Sequence, residues 1–172
     1  LWNDWNALTG GQQHYAYRFS WDVVLKAGVD IDLEGAVWTP LAVNFKNYNF
    51  NGNTIKNFVV DVAGGAGLFG KIFDNNEAKS GTLENLNIVN ANIKGERAGV
   101  IAGHITGTIK NCTVANSVVE ASKYAGGIVG HGYASFIGNE ISSTSVTSHY
   151  KDAGGLVGFN CRRYDNHILY AR

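Results

Sequence analysis

The residues best suited to chemistry in this sequence include a short segment rich in oxygen ligands. Asp74, Asn76 and Glu77 place carboxylate and amide oxygens within four positions, and Ca²⁺ prefers such oxygens. A Ca²⁺ site at Asp74, Asn76 and Glu77 is therefore one interpretation. The spacing matches no known Ca²⁺-binding loop, so we favour a solvated turn.

Two histidines suggest a second kind of site. His104 and His131 occupy equivalent places in two sequence repeats, so we expect their side chains about 4.8 Å apart on neighbouring strands. Two imidazoles that close can share a Zn²⁺ ion. The same column should hold Lys71 and Phe159, which are not natural ligands, so we favour two solvent-facing histidines and no metal.

Catalytic groups are hard to find. A glycoside hydrolase needs two carboxyl groups roughly 5–9 Å apart, but the repeat places Lys110 and then Gly138 where Glu84 stands. No serine or cysteine nucleophile is framed by a base. We therefore predict a protein that is not an enzyme and holds no cofactor.

Aromatic residues cluster near the start of the chain. Trp2, Trp5 and Trp38 suggest a platform for binding a sugar. The alternative, which we favour, is a cap packed on the first repeat, because Trp2, Trp5 and Leu8 have the spacing of a short amphipathic helix.

Composition excludes several classes of protein. The 172 residues suit one domain, and 14 basic against 14 acidic side chains leave no net charge, which argues against binding to nucleic acid or an anionic membrane surface. No apolar run reaches the roughly 18 residues of a membrane helix. With 22 Gly and one Pro, the chain is rich in turns, so a helical bundle is disfavoured. Cys112 and Cys161 form no metal or redox motif, and the sequence leaves their pairing open.

An apolar box framed by glycines recurs four times. Its copies lie at residues 66–70, 98–103, 125–130 and 153–158, and their closing glycines are 33, 27 and 28 residues apart. A second box ending in Asn follows, at 54–57, 82–85, 108–111 and 136–139, with a divergent copy at 164–166. Near-constant spacing of this kind indicates a repeat architecture.

A period of about 27 residues without helical periodicity fits one coil of three short strands and their turns. Coils stacked in parallel form a β-helix. Equivalent apolar residues should then form interior columns, one of them made of Leu68, Val100 or Ile101, Ile128 and Leu156. The Asn residues of the second box should form a structural column at a bend, because Asn tolerates the left-handed conformation and stacked amides hydrogen-bond between coils. Its predicted members are Asn57, Asn85, Asn111, Asn139 and Asn166.

The two boxes together resemble the GLUG-motif repeats of bacterial secreted and surface proteins. The resemblance rests on Gly-Leu-Phe-Gly at 67–70, Gly-Ile-Val-Gly at 127–130 and Gly-Leu-Val-Gly at 155–158, each paired with a Thr-Ile-x-Asn-type box, and covers roughly residues 25–160. It implies a right-handed β-helix in a secreted or surface protein, often adhesin-like. It implies no catalytic motif.

We therefore expect an all-β chain with a short N-terminal helical and aromatic cap at residues 1–24 and a right-handed parallel β-helix of about five coils at residues 25–172. The favoured function is a non-catalytic cell-surface or secreted module that acts as a stalk, an adhesin segment or a stackable fibre subunit. Its expected partners are itself by end-to-end stacking, further repeats of a longer chain, or a host or bacterial glycan, with neither nucleic acid nor a membrane span in this chain. A carbohydrate-binding module is the alternative, and a degenerate β-helix glycan enzyme is the third hypothesis.

Overall fold

The computed structural model describes residues 21–73 and 81–161, which form sixteen β-strands and no helix. The strands are β1 (Trp21–Val24), β2 (Ile31–Val37), β3 (Leu41–Asn49), β4 (Thr54–Asp61), β5 (Gly65–Ala66), β6 (Phe69–Phe73), β7 (Thr82–Glu84), β8 (Asn87–Gly99), β9 (Ala102–Lys110), β10 (Thr113–Ala115), β11 (Val118–Gly126), β12 (Val129–Ile137), β13 (Glu140–Ser142), β14 (Ser145–Ser148), β15 (Ala153–Gly154) and β16 (Val157–Asn160). These residues accordingly include no helix long and apolar enough to cross a membrane.

The strands build two parallel sheets that run along the length of the molecule. One sheet has the order β1-β3-β6-β9-β12-β16, with β7 paired to β3 and β9. The other joins β2, β4 and β8 and continues through β10 to β13 and through β11 to β14 and β15. Strands one repeat apart therefore pair with each other, which makes the fold a β-solenoid of about five turns, as the repeat predicted. The right-handed sense of the winding stays a prediction.

Interior columns of apolar side chains fill the space between the sheets. Phe69 pairs with Ala102, and Ala102 with Val129, so the residues just before them are also in register. The predicted column is confirmed with Ile101 as its second member, and all its members are buried: Leu68, Ile101, Ile128 and Leu156. On β9 the buried residues alternate with half-buried ones, which is the pattern of a strand with one face in the core.

The closing glycines of the first box are required because the backbones of neighbouring coils approach each other closely there. A Cβ on Gly103 would lie 2.5 Å from the nitrogen of Ala66, and a Cβ on Gly130 would lie 2.6 Å from the nitrogen of Ala98. Gly158 likewise lies against the nitrogen of Ala125, at 2.8 Å from its hypothetical Cβ. The repeated glycine is therefore a steric requirement of the corner.

The single Asn column is corrected to two columns of left-handed residues. Asn85 and Asn111 are in register, and their column continues with Gly138 at φ 63°. Asn57 stands instead in register with Asn90, in a second column. The members of that second column are Asn57, Asn90, Asn116 and Ser143, with φ between 46° and 60°.

Both columns use their amides to tie coils together. Asn90 Nδ2 donates to Asn57 Oδ1 at 2.7 Å, and Asn85 Nδ2 donates to Asn49 Oδ1 at 3.0 Å. Asn166, predicted for the same column, lies outside the described residues.

Asn139 is displaced from its predicted place by one residue and points into the core. It stands in register with Cys112 and Leu86 and is only 4% exposed. The physical reason is that the bend needs a residue that adopts positive φ, and Gly138 meets that need as well as Asn.

The predicted N-terminal cap is described only at its end. Residues 1–20 lie outside the described residues, so the expected helix is not assessed. Residues Trp21–Val24 pair in parallel with β3, so the sheet extends four residues into the segment predicted as cap.

Candidate functional site

The sequence-predicted ligand residues fall mostly outside the described part of the chain. Trp2, Trp5, Asp74, Asn76 and Glu77 all lie there. Trp38 is described, and it is half-buried against the core with its Nε1 donating to the carbonyl of Leu68 at 2.9 Å. The Trp38 indole therefore has a packing role between two coils.

The two predicted histidines do meet, on the outer face of the first sheet. Lys71, His104, His131 and Phe159 are paired from strand to strand, and we call these four residues the corner column. Below this column, the small residue Ala42 is paired with Lys71. The predicted stacking of His104 and His131 on neighbouring coils is confirmed.

Aromatic contacts hold the upper part of the corner column together. The rings of His104 and His131 are stacked with centroids 5.1 Å apart, and His131 stacks on Phe159 at 5.5 Å. Tyr124, across the corner, contacts both His131 and Phe159 at 5.2 and 5.4 Å. Lys151 places its ammonium 5.5 Å from the Tyr124 ring centroid, a cation–π distance.

The two imidazoles are also in hydrogen-bond contact. Their Nδ1 atoms are 2.9 Å apart, so one ring nitrogen must donate a hydrogen and the other must accept it. Burial lowers the pKa of His104 to about 4, and the positive charges of Lys71, Arg97 and, when it is protonated, His131 act in the same direction. Burial, followed by Arg97 and Lys123, also lowers the pKa of His131. Both rings are therefore neutral at pH 7.

We expect the His104 ring to make the fold sensitive to acid. Because its folded-state pKa of about 4 lies below the ordinary 6.5, the unfolded chain binds a proton that the folded chain does not, and stability falls as the pH drops from 6.5 towards 4. After allowance for the solvent-exposed part of the ring, the loss should be about 1–2 kcal/mol. Thermal melts of wild type and His104→Phe across this pH range measure it. The variant should show the shallower fall, and parallel curves would contradict the prediction.

A metal centre at the histidines gains no support from the residues around them. In the described ranges no three His, Cys, Asp or Glu side chains are grouped to hold an ion. Cys161 comes nearest, with its Sγ 3.8 Å from Nε2 of His131, on the opposite side of the ring from the Nδ1 that faces His104.

A cavity of about 390 Å³ opens beside the lower end of the corner column. Lys71, Arg97 and His104 line it, together with the backbone of Gly64 and Gly65, and we call this site the basic pocket. No carboxylate is among its described lining residues.

A second cavity, of about 380 Å³, has mixed charge. Glu120 lies in it, hydrogen-bonded to His149 at 2.9 Å and 3.8 Å from the ammonium of Lys94. The hydrogen bond from His149 and the charge of Lys94 lower the pKa of Glu120. Glu120 is thus a hydrogen-bond partner of His149 and an ion-pair partner of Lys94.

Sequence reasoning missed the basic pocket. It placed Lys71 and His104 in one column but did not bring in Arg97, which comes from the other sheet. The available signal was the position of Arg97 just before the box at 98–103, at a corner where the two sheets meet.

The two cysteines are both free, and we expect them to differ sharply in reactivity. Cys112 is fully buried, and burial raises the pKa of its thiol to about 12, whereas Cys161 is partly exposed. Reaction with a disulfide reagent at pH 8 should label one thiol in the native protein and two in denaturant. Rapid labelling of native Cys161→Ser would contradict the assignment.

The comparisons with known proteins give one partial match. Among curated proteins the chain is similar to halomucin from Haloquadratum walsbyi, with 37% identity over 140 residues that cover 64% of this chain and 2% of halomucin. No protein-family model and no solved structure matches the chain. The chain thus spans a very small part of that relative, and the resemblance to GLUG repeats stays a prediction.

Proposed function

We propose that this chain is a non-catalytic structural module of a secreted or cell-surface protein, wound as a right-handed β-solenoid. The observation that supports the proposal best is the unbroken parallel pairing from β1 to β16, because each coil rests on the next through backbone hydrogen bonds and buried columns. Such a quasi-one-dimensional array makes a stiff spacer. The partial similarity to halomucin, whose name marks it as a mucin-type protein, agrees with a role outside the cell.

Labelling tests the location. Antibodies against the chain should bind intact cells that produce it as strongly as permeabilised cells. Labelling that needs permeabilisation would contradict a surface role, and an antibody against a cytoplasmic enzyme serves as the control.

We extend the proposal to end-to-end contact, as a stalk, an adhesin segment or a stackable fibre subunit. Within the described residues, β14 and β16 are the last strands of their paths, and a coil from another repeat or another copy would continue both ladders. Electron microscopy of the full chain over a range of concentrations should show rods that lengthen with concentration. Particles of one uniform size at every concentration would contradict self-stacking.

A carbohydrate-binding module is the second candidate function. The basic pocket favours it, since a cavity of about 390 Å³ with convergent polar groups falls within the usual size of ligand sites.

A further inference from the structure

One asparagine of the sequence stands in the acceptor motif for asparagine-linked glycans. Asn111-Cys112-Thr113 fits the pattern Asn-x-Ser/Thr, in which x is any residue except proline. No other Asn of the chain is followed by Ser or Thr two positions later. Because a three-residue motif also arises by chance, the position of Asn111 in the fold is the deciding observation.

Asn111 lies at an exposed bend on the side of the solenoid, between β9 and β10. Its φ of 51° turns the chain, and its backbone nitrogen donates to the carbonyl of Ile137 on the next coil at 2.9 Å. The carbonyl of Lys110 accepts from the nitrogen of Asn85 on the preceding coil. The bend is therefore held by the coils on both sides of it, while the Asn111 side chain is in contact with solvent.

The side-chain amide of Asn111 makes no hydrogen bond within residues 21–73 and 81–161. Asn85, its neighbour in the column, instead donates from Nδ2 to Asn49 Oδ1 at 3.0 Å. The column continues with Gly138, where a Cβ would lie 2.5 Å from Asn111 Oδ1, so the glycine leaves room for the Asn111 amide. The acceptor nitrogen of the motif is thus not engaged by this part of the fold.

We propose that Asn111 carries an asparagine-linked oligosaccharide. In the transfer, Nδ2 of Asn111 loses one proton to a base of the transferase and forms a bond to the anomeric carbon of a lipid-linked oligosaccharyl phosphate. The bond between that carbon and the phosphate oxygen breaks, and the lipid phosphate leaves with the electron pair. The modification rests on the proposed function, since this transfer takes place outside the cytoplasm.

Thr113 determines when the transfer takes place. The transferase needs the hydroxyl of this residue, but in the fold Thr113 Oγ1 donates to Asn87 Oδ1 at 2.6 Å, and Thr113 is paired with strands on both sides. Cys112, in the middle of the motif, is fully buried. The motif therefore fits the transferase only before the coils wind, so the oligosaccharide is added during export. After folding it covers one side of the solenoid and leaves the edges of β14 and β16 accessible.

Peptide mass spectrometry of the chain isolated from cells that produce it tests the modification. Tryptic peptides that end at Lys123 contain two exposed asparagines at bends, Asn111 and Asn116, both with φ 51°. Asn116 is the internal control, because Val118 stands where the motif needs a hydroxyl. Electron-transfer fragmentation should place the mass of an oligosaccharide on Asn111 and none on Asn116. An unmodified Asn111, or equal modification of both residues, would overturn the proposal.

Variants secreted from cells that glycosylate a marker protein at Asn-x-Thr show whether the motif directs the transfer. Thr113→Val should lower the occupancy of Asn111 at least ten-fold, whereas Thr113→Ser, which keeps the hydroxyl, should retain the modification. Val118→Thr, at a position that is 47% exposed, supplies the hydroxyl that Asn116 lacks and should add a second oligosaccharide. Modified Asn111 in Thr113→Val would contradict the proposal, as would a bare Asn111 in cells that modify Asn116 of Val118→Thr.

Failure of this inference and failure of the proposed function give different results. A chain that antibodies detect on intact cells, but that carries no oligosaccharide at Asn111, would remove the modification and leave the surface role standing. A chain that antibodies reach only after permeabilisation would contradict the surface role itself.

Discussion

Replacing Gly130 with alanine should lower the free energy of unfolding by about 3 kcal/mol or more. The new Cβ would lie 2.6 Å from the nitrogen of Ala98, 2.8 Å from the carbonyl carbon of Arg97 and 2.9 Å from the oxygen of Gly103. All three atoms belong to backbone of the preceding coil, which its own ladder hydrogen bonds hold in place. Since no flexible side chain can move aside, the coils must separate at this corner.

Urea unfolding followed by circular dichroism measures this effect. The matched control is Gly64→Ala, because a Cβ on Gly64 meets no heavy atom within 4 Å, and we expect it to change stability by no more than about 0.5 kcal/mol. Equal unfolding midpoints for the two variants would show that the closing glycines are not steric requirements.

Substituting Asn139 by leucine should cost about 2–4 kcal/mol, although leucine occupies the equivalent place, Leu86, two coils earlier. The Asn139 side chain is buried and satisfies two backbone groups of the preceding coil: Oδ1 accepts from the nitrogen of Cys112, and Nδ2 donates to the carbonyl of Ile109, both at 2.9 Å. Leucine would leave both groups unpaired away from water. The apolar surface gained offsets only part of that loss.

The same unfolding measurement on Asn92→Leu provides the control, since Asn92 lies on the exposed face of β8 and its replacement should be nearly neutral. Wild-type stability of Asn139→Leu would contradict the prediction, because the nitrogen of Cys112 and the carbonyl of Ile109 would then have found water or other partners. Asn53, in the same column as Asn139, supports the prediction because it makes the same pair of bonds to the coil before it. Its Oδ1 accepts from the nitrogen of Val29, and its Nδ2 donates to the carbonyl of Lys26.

The sequence-based prediction was wrong in two details of the turns. It placed Asn139, rather than its neighbour Gly138, at the bend, and it assigned Asn57 to the wrong one of the two bends. The prediction used the identity of Asn to align the coils, and that choice paired Asn57 with Asn85 and placed Asn139 at the bend. A bend selects for positive φ and not for one side chain, so Gly138 and Ser143 take the same role as Asn. Only the backbone pairing, in which Lys56 meets Val89, shows that Asn57 belongs to the second column.

The sequence by itself determined the period, the all-β solenoid, an interior apolar column with Val100 or Ile101 as its second member, and the stacking of His104 on His131. This was possible because equivalent positions in stacked coils need the same type of residue, so glycine and apolar residues recur at a fixed interval along the chain. The tertiary structure alone decided which residues meet across the corner, above all Arg97 with Lys71 and His104. These residues come from two different sheets, and the path of the turns between the sheets decides how close they lie. The spacing of the repeats along the chain contains no information about distances between the two sheets.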